Sequence, residues 1–205
     1  MNYLGAIITL LFFIALSAGL GILWWRHWVR HVQAQFLNSI KWLMLEVRLP
    51  RDLFKSPLAM EMFLSSLHQG GGTSTWYAKF WDGKVRNWFS LEIASIEGDV
   101  RFFIRTNSKF KNAIESALYA QYPGIEITET EDYTNYFRYD PKEHDVWGND
   151  FALVGEDAIP IRTYVDYKLD KDPKEEFKVD PIAPLIEWMG SVKKGEQIWF
   201  QIICR

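Results

Sequence analysis

Catalysis and metal binding need ionisable or nucleophilic side chains at set spacings, and this chain of 205 residues offers few. His27 and His31 sit four apart, which puts two imidazoles on one helical face, but no third ligand lies nearby in sequence, and packing is the simpler reading. Gly70, Gly71 and Gly72, followed by Thr73, Ser74 and Thr75, share only composition with a phosphate loop. A P-loop needs Gly, four residues, Gly, Lys and then Ser or Thr, and no Lys follows here. Glu129, Glu131 and Asp132, with Glu143, His144 and Asp145 further on, supply carboxylates and an imidazole of the kind that holds cations. Neither group has a known ligand spacing. His68 falls at the end of a helical run, where the dipole favours a cation and capping explains it. Cys204 is the single cysteine; it excludes an intramolecular disulfide framework, agrees with a reducing compartment and reads as a strand residue. The residues thus point to no catalytic group, no metal and no cofactor, and an enzyme is not expected.

The aromatic residues carry more. From Tyr3 to Trp25 there is no charged residue, and the run ends at Trp24, Trp25, Arg26, His27, Trp28, Val29 and Arg30. A bilayer core takes about 20 apolar residues of helix, and Trp gathers where a helix leaves the hydrocarbon. Trp24, Trp25, Arg26, Trp28 and Arg30 are therefore read as a membrane-interface set. Arg26, Arg30 and Lys41 follow the run while nothing but the terminal amine precedes it, which places the C-terminal side in the cytoplasm. A cleaved signal peptide would show a basic start and an apolar core of roughly 7 to 15 residues. This run has no basic start and is too long.

The elements behind the anchor follow from periodicity. Leu43, Leu45, Val47 and Leu49 alternate against Met44, Glu46 and Arg48, a strand that Pro50 stops. Ser56 and Pro57 cap a helix with Met60, Phe63, Leu64 and Leu67 on one face, ending at Gln69 to Gly72. Phe89 to Ile96 and Val100 to Thr106 form a hairpin through Glu97, Gly98 and Asp99. Asn107 and Ser108 cap a second helix with Phe110, Ala113, Ile114, Ala117 and Leu118 on its face, closed by Pro123 and Gly124, and Ile125 to Thr130 is a further strand. The order βαββαβ is that of a ferredoxin-like domain. The Gly-rich, aromatic segment from Gly70 to Trp88 is an insertion between its first helix and second strand.

A second, partial copy is expected beyond a crossover segment, which holds at most a short strand at Phe151 to Val154. Arg162 to Leu169 alternates like the first strand. Asp180 and Pro181 repeat the cap of Ser56 and Pro57 before the face Ile182, Leu185, Ile186 and Met189, and Glu196 to Arg205 reads as a final strand. Such an apolar strand needs a partner within the domain, in another subunit or in further sequence. The organisation expected is therefore α+β: residues 1–39 as transmembrane anchor and juxtamembrane helix, 40–131 as the ferredoxin-like unit, 132–157 as the crossover and 158–205 as the partial second repeat.

Two functional classes fit such a chain. A net charge of −3 does not suggest a domain that coats nucleic acid. Ferredoxin-like sheets nevertheless read single strands when aromatics on the middle strands stack bases, and Phe102 and Phe103 occupy the matching third strand, one ring on each face. The glycines of the usual RNA-recognition signature are absent.

Leu45 to Pro50, Ser56-Pro57 with Ala59-Met60-Glu61, Ser90-Leu91-Glu92-Ile93, Ala120-Gln121-Tyr122-Pro123, Pro160-Ile161-Arg162-Thr163-Tyr164 and Gly195-Glu196-Gln197-Ile198-Trp199-Phe200-Gln201 resemble a bacterial family of membrane-anchored domains of unknown function. Its members are similar to the N-terminal part of conjugation or type IV secretion components and accompany, or are fused to, HerA-like and coupling-protein-like DNA-translocating ATPases. The resemblance spans the soluble part almost end to end, brings no catalytic residue, and implies a motor ATPase as partner. The sequence ends at Arg205 without Walker motifs, so ATPase activity of its own is not expected. The leading expectation is a single-pass adaptor or assembly platform, alone or as a homo-oligomer. The alternative is a membrane-tethered single-stranded nucleic-acid-binding module.

The topology has a direct test. A reporter fused after Arg205 is expected to be active in the cytoplasm and silent in the periplasm, and replacing Arg26 and Arg30 by Glu is expected to lower the fidelity of insertion.

Overall fold

The computed structural model describes residues 3–50, 57–67, 75–152, 154–155, 163–167 and 182–204. Contacts divide the chain into two units, residues 1–41 with 70–87, and residues 42–69 with 88–205.

The first unit is built on α1, Tyr3–Ser39, one helix long and apolar enough to cross a membrane. Its side chains are exposed from Tyr3 to Trp24, and Val32 is its one buried residue. The insertion is more than a loop. Thr75 caps a short helix, α3 (Trp76–Phe80), by accepting a hydrogen bond from the Ala78 N–H at 3.3 Å. Gly83 then lies against the backbone of α1: its φ is +65°, and a Cβ there would fall 2.2 Å from the Val32 carbonyl oxygen. Only glycine permits both that conformation and that approach.

The second unit is α+β, with a five-stranded antiparallel sheet in the order β4-β1-β3-β2-β5. The strands are β1 (Trp42–Arg48), β2 (Phe89–Ile96), β3 (Asp99–Asn107), β4 (Glu126–Thr130) and β5 (Gln197–Cys204). The β2–β3 hairpin turns on Glu97 and Gly98, with φ of +55° and +88°, the two positive values that a two-residue turn matched to strand twist requires. On one face lie α2 (Pro57–Leu67) and α4 (Lys111–Gln121). Leu43, Leu45 and Val47 of β1 and Ile104 of β3 pack there with Phe63, Ile114 and Leu118. The period-2 and period-3.6 patterns thus meet in a single core. Of the face expected on α2, Phe63, Leu64 and Leu67 pack into the core, while Met60 is exposed and Ala59 packs there as well. Leu49 lies beyond the end of β1 and is exposed.

Where a second copy was expected, the chain extends the first sheet. β5 pairs with β2 in register from Phe89 with Cys204 to Ile96 with Gln197. The five-stranded order is therefore not the four-stranded one expected. The strand expected at 162–169 is not formed in its described part: Asp166 accepts from the N–H of Thr163 at 2.7 Å and from its hydroxyl, and the Asp166 N–H donates back to the Thr163 carbonyl. A local Asp–Thr turn therefore takes the backbone groups that a ladder would have used. Ile198 and Phe200 are half-buried, and Ile202 is 46% exposed. The helix α5 (Ala183–Gly190) lies on β2 and β3, with Met189 fully buried and its carbonyl accepting from the Ser95 hydroxyl at 2.6 Å. The cap expected at Asp180–Pro181, like that at Ser56, lies outside the described residues.

The hairpin tip and the α5–β5 connection hold each other. Glu97 N–H donates to the Glu196 carbonyl at 3.0 Å, Gly195 N–H donates to the Glu97 carboxylate at 3.1 Å, and a Cβ at Gly98 would come 2.9 Å from the Val192 carbonyl oxygen. Gly98→Ala is expected to cost at least about 1 to 2 kcal/mol, from the positive φ and the backbone clash together. Chemical denaturation of the detergent-solubilised chain measures it, with Tyr119→Ala, on the exposed face of α4, staying within about 0.5 kcal/mol of wild type.

Candidate functional site

The interface set expected from sequence is gathered in the first unit, in more company than expected. One helical turn separates Trp24 from Trp28, whose rings stack at 5.9 Å. The Trp25 ring meets three aromatics contributed by the insertion: Trp76 at 6.3 Å, Phe80 at 5.6 Å and Trp81 at 6.0 Å. Trp28 meets Trp81 edge-on at 5.8 Å, and its indole N–H donates to the Phe80 carbonyl at 3.2 Å. Arg26 and Arg30 remain exposed on α1. The aromatic density of Trp76 to Trp81 was the available signal for this partnership. It went unused because the three glycines ahead of it read as the start of a loop.

In the second unit, the sheet face opposite α2 and α4 is covered at its centre. A 3-10 turn at Tyr133–Tyr136, capped by Asp132, lays the Tyr133 ring on Phe103 at 5.0 Å. Met44, Ala94 and Phe103 are buried beneath it. The stacking platform expected at Phe102 and Phe103 meets this covering. The two rings do face opposite sides of the sheet, but Phe102 packs into the helix-side core and Phe103 is only 4% exposed. A base would have to displace Tyr133 to reach it.

Beside Tyr133 lies a buried polar network that sequence reasoning missed. Glu92 projects from β2 onto this face and is 4% exposed. Its carboxylate accepts from the Ser90 hydroxyl, from the Tyr133 hydroxyl at 2.6 Å and from the Gln201 amide of β5 at 3.1 Å. Gln201 also donates to the Tyr133 oxygen at 2.8 Å. A buried carboxylate is tolerated only with such donors. Burial, reinforced by the hydrogen bond to Glu92, holds the Tyr133 phenol well above its ordinary value. A lone Glu in the apolar run of β2 was the sequence signal, and its donors come from residues 41 and 109 positions away.

The acidic clusters do not gather. Glu129 pairs with Lys111 at 2.7 Å, and Asp132 pairs with Arg105 at 2.9 Å while capping Thr134. The His144 ring lies on Phe137 at 4.8 Å, and its Nδ1 accepts from the Asp140 N–H. Gln35 and His31 share a hydrogen bond at 2.9 Å. Burial pushes the Cys204 thiol up, away from a reactive thiolate. His68 and Gly70 to Ser74 lie outside the described residues. Compared with protein-family models, with curated proteins and with solved structures, the chain matches none.

Tyr133→Phe removes one charge-assisted donor from a buried carboxylate and is expected to cost about 1.5 to 3 kcal/mol at neutral pH. The folded phenol holds its proton more tightly than the unfolded one, so its contribution is whole below the ordinary tyrosine value of 10.0 and is lost as pH rises above it. Denaturation of both proteins from pH 8 to 11.5 should show their stabilities converging at the alkaline end.

Proposed function

We propose that the protein is a single-pass membrane-anchored adaptor. In this reading α1 spans the inner membrane, Arg26 and Arg30 hold its C-terminal end at the cytoplasmic side, and the sheet domain binds a protein partner. Support for a ferredoxin-like unit comes from the run β4-β1-β3-β2, whose neighbours are all antiparallel, with α2 after β1 and α4 after β3. β5 is then an added fifth strand.

The observation that carries the adaptor reading is β5 itself. Among the described residues it pairs only with β2, and its other edge takes no strand. Natural edge strands are guarded by charge, proline or bulges. Gln197–Cys204 has no charged residue and no proline. Trp199, Ile202 and Ile203 are exposed on it, Ile203 by 69%. An unguarded apolar edge on a membrane-tethered domain suits a partner that adds a strand, where main-chain bonds give affinity and alternate side chains give specificity. The family resemblance makes that partner a DNA-translocating ATPase of a type IV secretion or conjugation-like system. The covered ring of Phe103 weighs against the nucleic-acid alternative.

A photo-crosslinking amino acid in place of Ile203, in cells carrying the full chain, should give an adduct whose mass identifies a DNA-translocating ATPase. An Ile202→Lys substitution on the same strand should reduce its yield several-fold. Adducts confined to nucleic acid, to lipid or to a second copy of this chain would overturn the reading.

A further inference from the structure

The insertion that joins α1 in the first unit carries aromatic and basic residues that neither the core nor the proposed partner strand uses. On its inner side, Ala78 and Gly83 are buried and the aromatic rings meet Trp25 and Trp28. On its outer side, Trp76 is 63% and Tyr77 58% exposed, and Lys79, Lys84 and Arg86 are exposed, with the Lys79 amine 5.3 Å over the Phe80 ring and the Lys84 amine 3.9 Å from Asp82. Two exposed large aromatics so close together are an apolar patch that asks for a covering.

Charge and position identify the covering. The first unit contains six Lys and Arg residues, at 26, 30, 41, 79, 84 and 86, against the single acid Asp82, a net of +5 in a chain whose total is −3. The remainder of the chain is therefore at −8. The exposed Trp76 ring lies against Trp25, the residue at which the uncharged run of α1 stops, and Tyr77 lies against Trp81. Exposed Trp and Tyr mixed with Lys and Arg beside the end of a spanning helix match the headgroup layer: amphipathic rings settle at that depth, and basic residues reach to acidic phosphates. We propose that residues 75–87 form an interfacial element that lies in the headgroup layer and binds anionic phospholipid through Lys79, Lys84 and Arg86, with Trp76 and Tyr77 immersed. The inference rests on α1 spanning the bilayer.

The test separates the two. In the full chain carrying Cys204→Ser, single cysteines at Leu11, Tyr77 and Tyr119 are spin-labelled, and the chain is reconstituted into phosphatidylcholine vesicles with and without phosphatidylglycerol. Collision rates with oxygen and with a water-soluble nickel chelate give the depth of each label. Leu11 is expected in hydrocarbon, Tyr119 in water and Tyr77 between them at headgroup depth. Spin-labelled phosphatidylglycerol is expected to associate with the unlabelled chain in preference to phosphatidylcholine, and K79Q/K84Q/R86Q to reduce that preference by roughly fivefold per charge at low salt. With Leu11 in hydrocarbon, a Tyr77 label as water-accessible as Tyr119, or a lipid preference unchanged in the triple variant, overturns the interfacial element alone. Leu11 in water would take down the spanning reading and this inference with it.

Discussion

The side chains of α1 from Tyr3 to Trp24 are exposed. Each Å² of apolar area left in water costs about 25 cal/mol, and this run of Leu, Ile and Phe is long and apolar enough to cross a membrane. Every peculiarity of the first unit follows from the end of that run. The helix continues as far as Ser39, but past Trp24 its surface changes, through indoles and arginines to a buried Val32. The insertion closes on α1 where this change occurs. Gly83 lets the second segment approach α1 to backbone contact, and the Trp28 indole N–H finds a carbonyl there. Rings that are half apolar and half hydrogen-bonding suit a boundary between phases.

In the second unit the governing constraint is that both faces of the central strands are occupied. β1 is buried from Leu43 to Val47 without alternation, and that includes Glu46. An antiparallel sheet backed by helices on one face ordinarily leaves the other to water. Here the Tyr133 turn covers it and brings its own polar demand, which Glu92, Ser90 and Gln201 meet together. Removing any one member leaves a buried group short of a partner, so such a network fixes one arrangement of β2, β5 and the turn over its competitors. The same covering takes the Phe103 ring of β3 out of solvent.

What the sequence made legible was local. The hairpin at Glu97 and Gly98, the Asn107 cap and the glycine that closes α4 rest on interactions within a few residues, and each stands where its signals placed it; the strand Gln197–Cys204 was visible in its alternation, though its partner lies about a hundred residues away. Pairing was less legible. The alternation in Thr163, Val165 and Tyr167 resembled a strand, but Asp166 sat close enough to take the Thr163 backbone. The likeness between the α2 and α5 regions suggested a second sheet. The edge of β2 was open, however, and a strand closes a sheet by pairing wherever an edge is free. The aromatic cluster around Trp25 and the Tyr133 and Gln201 donors to Glu92 join residues 41 to 109 positions apart, and a single sequence carries no register for such contacts.

The division of charge connects the two units without requiring any particular placement between them. A basic first unit at +5 and a remainder at −8 respond oppositely to a surface of acidic lipid: the one is attracted and the other repelled, within about a Debye length of the headgroups. Were the acidic residues spread evenly, the sheet domain would have no electrostatic reason to stay off the membrane, and the uncharged edge of β5, with Trp199 and Ile203 exposed, would be an apolar strand free to settle on lipid. In the proposed reading, the excess of acid over base in the remainder opposes the settling of that edge on acidic lipid. An edge strand in water with its hydrogen-bonding groups unpaired is the condition under which another protein's strand, and not a bilayer, is its best partner.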